Sequence, residues 1–168
     1  KVDIKNKMTN GEWRLSIVNN GAGEINFDFM PDLFVGTEIK SVTVDSKPIN
    51  FEVIKHEQAV QLKSSFTIND KHEVVVKYKP SVEIYLPDES TPIGATNEGL
   101  KIISQRFNEN KLILDLEGLP GRDYKLGVIN EDLISSIEGA KEINGKLIIK
   151  LPGDGNKFVK YQVVINIK

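Results

Sequence analysis

A chain of 168 residues with 39% hydrophobic and 27% charged side chains holds enough apolar mass for packed cores, which excludes a disordered tail. Its 22 basic and 24 acidic residues leave a net charge of −2 with no basic block, so no nucleic acid partner is expected. The absence of cysteine removes disulfides, a thiolate nucleophile and cysteine-ligated zinc, and no apolar run reaches the roughly 18 residues that a membrane span needs.

The chain opens at Lys1 directly in a strand-like Val2-Asp3-Ile4-Lys5, without a signal peptide, as expected of a piece of a longer polypeptide. Trp13, Leu15 and Ile17 alternate with polar residues, Asn19-Asn20-Gly21 marks a turn, and Ile25, Phe27 and Phe29 alternate again. That pattern predicts a hairpin-like pair with one buried face. Between Met30 and Gly36 the period is lost and Pro31 and Gly36 intervene, as in a connection between sheets. Alternation resumes at Ile39, Val42 and Val44, turns at Asp45-Ser46-Lys47-Pro48, and continues through Ile49, Phe51 and Val53 to Val60, Leu62 and Phe66. Asn69-Asp70-Lys71 turns the chain into Val74, Val76 and Tyr78. Six or seven short strands with a turn about every ten residues is the spacing of an immunoglobulin-like or fibronectin-like sandwich.

After Lys79-Pro80 the logic repeats with Val82, Ile84 and Leu86, then a polar loop from Asp88 to Gly94. Leu100, Ile102 and Ile103 open a strand, Asn108-Glu109-Asn110 turns it, and Leu112, Leu114 and Leu116 keep a strict period of two. Gly118-Leu119-Pro120-Gly121 leads into Tyr124, Leu126 and Val128. Only Asn130 to Ile137 offers room for a helical turn. Asn144-Gly145 is the strongest hairpin signal, because both central positions of a tight turn need positive φ. Leu147, Ile149 and Leu151 follow, and a long strand through Tyr161 and Ile167 closes the chain.

The order of these phrases resembles the tandem β-sandwich modules at the C-termini of large secreted bacterial glycoside hydrolases, especially those with an α/α toroid as catalytic domain. The phrases that carry the resemblance are Ile39-Lys40-Ser41-Val42-Thr43-Val44-Asp45-Ser46-Lys47-Pro48-Ile49, Gly99-Leu100-Lys101-Ile102, Leu116 to Leu126, Ile137-Glu138-Gly139-Ala140 and Leu151-Pro152-Gly153. They cover most of the chain but are words of turns and strands, not of catalysis. The resemblance implies a secreted, periplasmic or cell-surface location, a catalytic domain elsewhere in the parent chain as partner, and a role as structural support or interaction surface.

The candidate chemical groups weigh lightly against these structural words. His56 and His72 fall beside turns and read as surface residues. No Gly-x-Ser-x-Gly phrase accompanies them. The carboxylate pairs Asp28 with Asp32, Asp88 with Glu89, Glu131 with Asp132 and Asp115 with Glu117 lie in loops or on polar strand faces, where acids serve solubility. Calcium could take oxygens from Asp154-Gly155-Asn156 or Asp88-Glu89-Ser90, but neither has the ligand count of a defined site, and no cofactor is expected. Trp13, Tyr124 and Tyr161 are in phase with apolar neighbours and belong to cores, whereas Tyr85 is out of phase with Ile84 and Leu86 and should face outward. Tyr85 is therefore the candidate ligand-binding residue.

The expectation is an all-β chain of two immunoglobulin/fibronectin-like antiparallel β-sandwich modules in tandem, 1–80 and 81–168, without catalytic activity of its own. The alternatives are a carbohydrate-binding module with polysaccharide affinity, a cell-surface adhesin or spacer, and a small standalone enzyme.

Overall fold

The computed structural model of the chain describes residues 1–87 and 99–168. Among the described residues the regular structure is antiparallel β-strand, with one 3-10 turn at Glu131–Leu133 where the sequence leaves room for it. The chain divides into two compact units, Lys1–Pro80 and Ser81–Lys168.

The first unit holds β1 (Val2–Thr9), β2 (Glu12–Asn19), β3 (Ile25–Phe29), β4 (Asp32–Phe34), β5 (Glu38–Val44), β6 (Lys47–Pro48), β7 (Glu52–Lys55), β8 (Ala59–Ile68) and β9 (Lys71–Lys79). One sheet has the order β1-β2-β9-β5-β6; in the other, β3, β4 and β7 all pair with β8. Leu15, Ile17, Val42, Val74 and Val76 from the first sheet meet Phe29, Leu33, Leu62 and Ile68 from the second in a single core. Phe29 sits centrally, its ring centroid 5.7 Å from that of Trp13 and 6.5 Å from that of Phe66. Aromatic pairs at these separations add to area burial.

Two sequence expectations need correction here. Trp13–Ile17 and Ile25–Phe29 do not form a hairpin, because β2 and β3 lie in different sheets. Asn19 builds the arch between them: its buried side chain accepts from the Gly21 N–H and donates to the Gly23 carbonyl, both at 2.9 Å. Its own N–H donates to the Asp70 carbonyl at 2.9 Å, tying this crossing to the one between β8 and β9. The true hairpin partner of β2 is β1, joined through Asn10-Gly11, with Gly11 at φ 83°. The connection between sheets is also shorter than the whole of Met30–Gly36. Pro31 interrupts the strand, yet its carbonyl accepts from the Leu62 N–H at 3.0 Å and β4 continues along β8. The chain leaves that sheet only after Phe34.

The second unit holds β10 (Glu83–Tyr85), β11 (Lys101–Asn108), β12 (Lys111–Gly118), β13 (Asp123–Ile129), β14 (Ile134–Glu138), β15 (Lys141–Glu142), β16 (Lys146–Lys150) and β17 (Val159–Ile167). Its sheets have the orders β10-β13-β16-β15 and β11-β12-β17-β14. Leu112, Leu114, Leu116, Val163 and Ile165 are buried on one, and Ile84, Leu126, Leu147 and Ile149 on the other. Turn chemistry sets the register of the hairpins. Glu109-Asn110 and Asn144-Gly145 both take positive φ at their two central positions, as Asp45-Ser46 does in the first unit. β12 and β13, by contrast, belong to different sheets, and the corner between them is clasped by Tyr124. The Tyr124 hydroxyl accepts from the Leu119 N–H at 2.8 Å and donates to the Leu119 carbonyl at 3.1 Å. At the sheet edges, the Gln105 amide donates to the Ile84 carbonyl at 3.0 Å and links β11 to β10.

Candidate functional site

Tyr85 is the ring that the phase of β10 turns outward, and it is 44% exposed, whereas Trp13, Tyr124 and Tyr161 are half-buried. It pairs with Gly127 across β10 and β13. A Cβ at Gly127 would lie 2.2 Å from Tyr85 Cζ and 2.6 Å from its hydroxyl oxygen, so the ring lies over the neighbouring strand in the space that glycine leaves. Such a glycine under an aromatic ring is a recurrent way of covering a gap in a sheet face. Here it fixes the ring on the sheet while leaving much of it in water.

The register of the sheet determines what surrounds that ring. Tyr85, Gly127 and Lys146 lie in one cross-strand row; Lys125, Ile148 and Lys141 form the next, and Asp123 pairs with Lys150 beyond it. Glu83 and Ile129 form the row on the other side. The four lysines are exposed, and among the described residues none of them has an ion pair or a side-chain hydrogen bond to an acid. Burial pushes the Glu83 carboxyl up from its ordinary value. Sequence reasoning singled out the ring but passed over these lysines. The signal was present in the period-two run Lys146, Ile148, Lys150, but only pairing with β13 and β15 brings Lys125 and Lys141 beside it.

On the outer face of the other sheet, the two acids of its central strand β12 are engaged by neighbouring strands. Asp115 accepts from the Ser104 hydroxyl at 2.6 Å, from Arg106 at 2.6 Å and from the Gln162 amide at 3.0 Å. The bonds from Ser104 and Gln162, reinforced by Arg106, hold its carboxyl below the usual range. Glu117 is paired with Lys101 at 3.2 Å. The pair Asp115 with Glu117 is thus tied into a cross-strand network, and a carboxyl held ionised is unsuited to donate a proton. Asp28 and Asp32 are likewise engaged, by Ser65 at 2.6 Å and Gln61 at 3.1 Å on β8. Glu131 and Asp132 sit in the 3-10 turn. The pair Asp88 with Glu89, and with it the Asp88-Glu89-Ser90 calcium candidate, lies outside the described residues. Among the described residues no three acidic or histidine side chains converge as a metal site, at Asp154 or elsewhere.

His72 is more tightly held than a surface histidine. Its Nδ1 lies 2.6 Å from the Asp45 carboxylate and its Nε2 2.9 Å from the Asn69 side-chain oxygen. A catalytic histidine keeps one ring nitrogen for the nucleophile, whereas both are occupied here by turn residues. His56 sits in the turn between β7 and β8, where its N–H donates to the Ala59 carbonyl at 2.9 Å. The Asp45 carboxyl is held low first by the Glu73 backbone N–H at 2.9 Å and then by His72. A depressed carboxyl adds stability above its unfolded value and loses it as pH falls through its folded value. Replacing Asp45 by Asn should therefore lower the urea midpoint above about pH 5 and make little difference near about pH 2. Urea titrations at both pH values check this; an equal gap at the two would contradict it.

Comparison with family models, with curated proteins and with solved structures finds no match to this chain.

Proposed function

We propose that the chain is a non-catalytic pair of immunoglobulin/fibronectin-like β-sandwich modules. In this reading it forms the accessory C-terminal region of a larger secreted, glycan-active bacterial protein and supplies support or an interaction surface to its catalytic domain. The observation that carries the reading is the employment of the reactive side chains. His72, Asp45, Asp28, Asp32 and Asp115 are each bonded to a neighbouring strand or turn, as parts of a scaffold are. The Tyr124 clasp supports the immunoglobulin-like assignment, since a tyrosine hydroxyl bonded to backbone a few residues upstream at a sheet-to-sheet corner is a hallmark of that architecture. The glycan-active parent rests on the resemblance of the turn and strand phrases, and a sandwich scaffold by itself leaves function open.

Two measurements test the proposal together. The isolated chain should release no reducing ends from a panel of polysaccharides and no nitrophenol from aryl glycosides. In the natural reading frame, a glycosidase domain should accompany residues 1–168, and deleting these residues should lower that domain's melting temperature or substrate retention while leaving its rate per folded molecule unchanged. Turnover by the isolated chain, or a frame without a glycan-active domain, would overturn the reading.

A further inference from the structure

We propose that the outer face of the β10-β13-β16-β15 sheet binds an acidic polysaccharide, a chain of carboxylate-bearing sugars. Tyr85 is the platform for a sugar ring, and Lys125, Lys141, Lys146 and Lys150 are the carboxylate partners. The inference rests on the preceding reading for the class of polymer and goes beyond it in assigning a surface, residues and a charge.

Three features of this face point the same way. First, it presents four lysines against two acids, Glu83 and Asp123, on a chain whose overall charge is −2. This local excess of positive charge favours an anionic chain on the face. Glu142, at the margin, has its carboxylate engaged by the Gly145 N–H at 2.8 Å. Second, an exposed ring anchored over Gly127 offers a fixed apolar surface at little ordering cost, as the C–H face of a sugar requires. Ile129, 45% exposed, and Ile148 continue that floor between the charges. Third, none of these four lysines has an ion pair among the described residues, whereas on the opposite sheet of the same unit Asp115 is bonded to Arg106 and Glu117 to Lys101.

The chemistry also selects among occupants. A neutral glycan is recognised through amide and carboxylate groups on its hydroxyls; the outward positions in these rows hold neither Asn nor Gln, and their two carboxylates, Glu83 and Asp123, are outnumbered by the four lysines. A nucleic acid is gripped by a larger cationic footprint with several stacking rings, whereas one ring stands here. Lysines on three adjacent strands, spaced by about 4.8 Å each, suit an extended polymer lying across the strands.

The test uses the 168-residue chain in affinity gels cast with polygalacturonate or alginate, with hydroxyethylcellulose as the neutral polymer and double-stranded DNA as the charge control. Retardation by at least one acidic polysaccharide is expected, weakening as salt rises and absent with hydroxyethylcellulose. Tyr85→Ala and the double variant Lys125→Glu/Lys146→Glu should each weaken it at least tenfold. Tyr85→Phe should retain it, and Lys160→Glu on the opposite sheet should leave it unchanged. Gly127→Ala, which displaces the ring without removing it, should weaken it severalfold, with melting curves confirming that each variant is folded. No retardation by either acidic polymer overturns the proposal. So does equal retardation by hydroxyethylcellulose, or retardation insensitive to Tyr85→Ala and matched by DNA. These results would leave the accessory reading standing, which fails separately if the isolated chain turns over a glycan.

Discussion

Phe29→Ala should lower the unfolding free energy of the first unit by about 3–5 kcal/mol, the usual cost of deleting a buried phenylalanine. Phe29 is 6% exposed and touches rings from both sheets, Trp13 on β2 and Phe66 on β8. Its removal takes away a side chain that holds the two layers together, and the rigid strands on either side limit collapse into the void. Trp13 is the only tryptophan in the chain, so its fluorescence reports the transition directly in urea titrations. Phe27, only half-buried, gives the comparison: its truncation should cost less. A loss under about 1 kcal/mol for Phe29→Ala would mean that the aromatic contacts described here do not bear on stability.

Leu114→Ala should be of similar consequence for the second unit, costing about 2–5 kcal/mol. Leu114 is fully buried on β12, between β11 and β17, with Leu112 and Leu116 on either side in the same inward row. Leu114→Met, which nearly conserves volume, should cost under about 1.5 kcal/mol. Hydrogen exchange of the β12 and β17 amides is the suitable measurement, because it isolates this sheet from signals of the first unit. Equal effects of Ala and Met would show that the site relaxes freely around a cavity.

Strand existence was legible because period-two alternation is a direct consequence of a half-buried sheet, as at Leu112-Leu114-Leu116. Tight hairpins were legible where residues tolerant of positive φ stand at both central positions, as at Asn144-Gly145. Arches were not, because a chain that crosses to the other sheet keeps the same alternation as one that folds back beside itself. Asn19-Asn20-Gly21 looks like a hairpin turn, and only the buried bonds of the Asn19 side chain show the crossing. Bulges were half-legible. The spacing of three between Ile39 and Val42 corresponds to a register shift against β9, while the adjacent Ile102 and Ile103 conceal one that leaves Ile103 52% exposed. The outward aspect of Tyr85 followed from phase alone. The lysines around it did not, because they come from three strands whose neighbours no local pattern specifies.

In both units the strand made last by the ribosome lies inside its sheet: β9 between β2 and β5, and β17 between β12 and β14. Neither sheet can close while its unit is being synthesised, since the strand that completes the hydrogen-bond ladder on both sides arrives at the end. Until Lys79 or Ile167 has emerged, the edges waiting for β9 and β17 remain open to any other extended segment. Closure of each unit is thus governed by long-range pairing, slow by topology and most vulnerable to misassociation just before β9 or β17 takes its place.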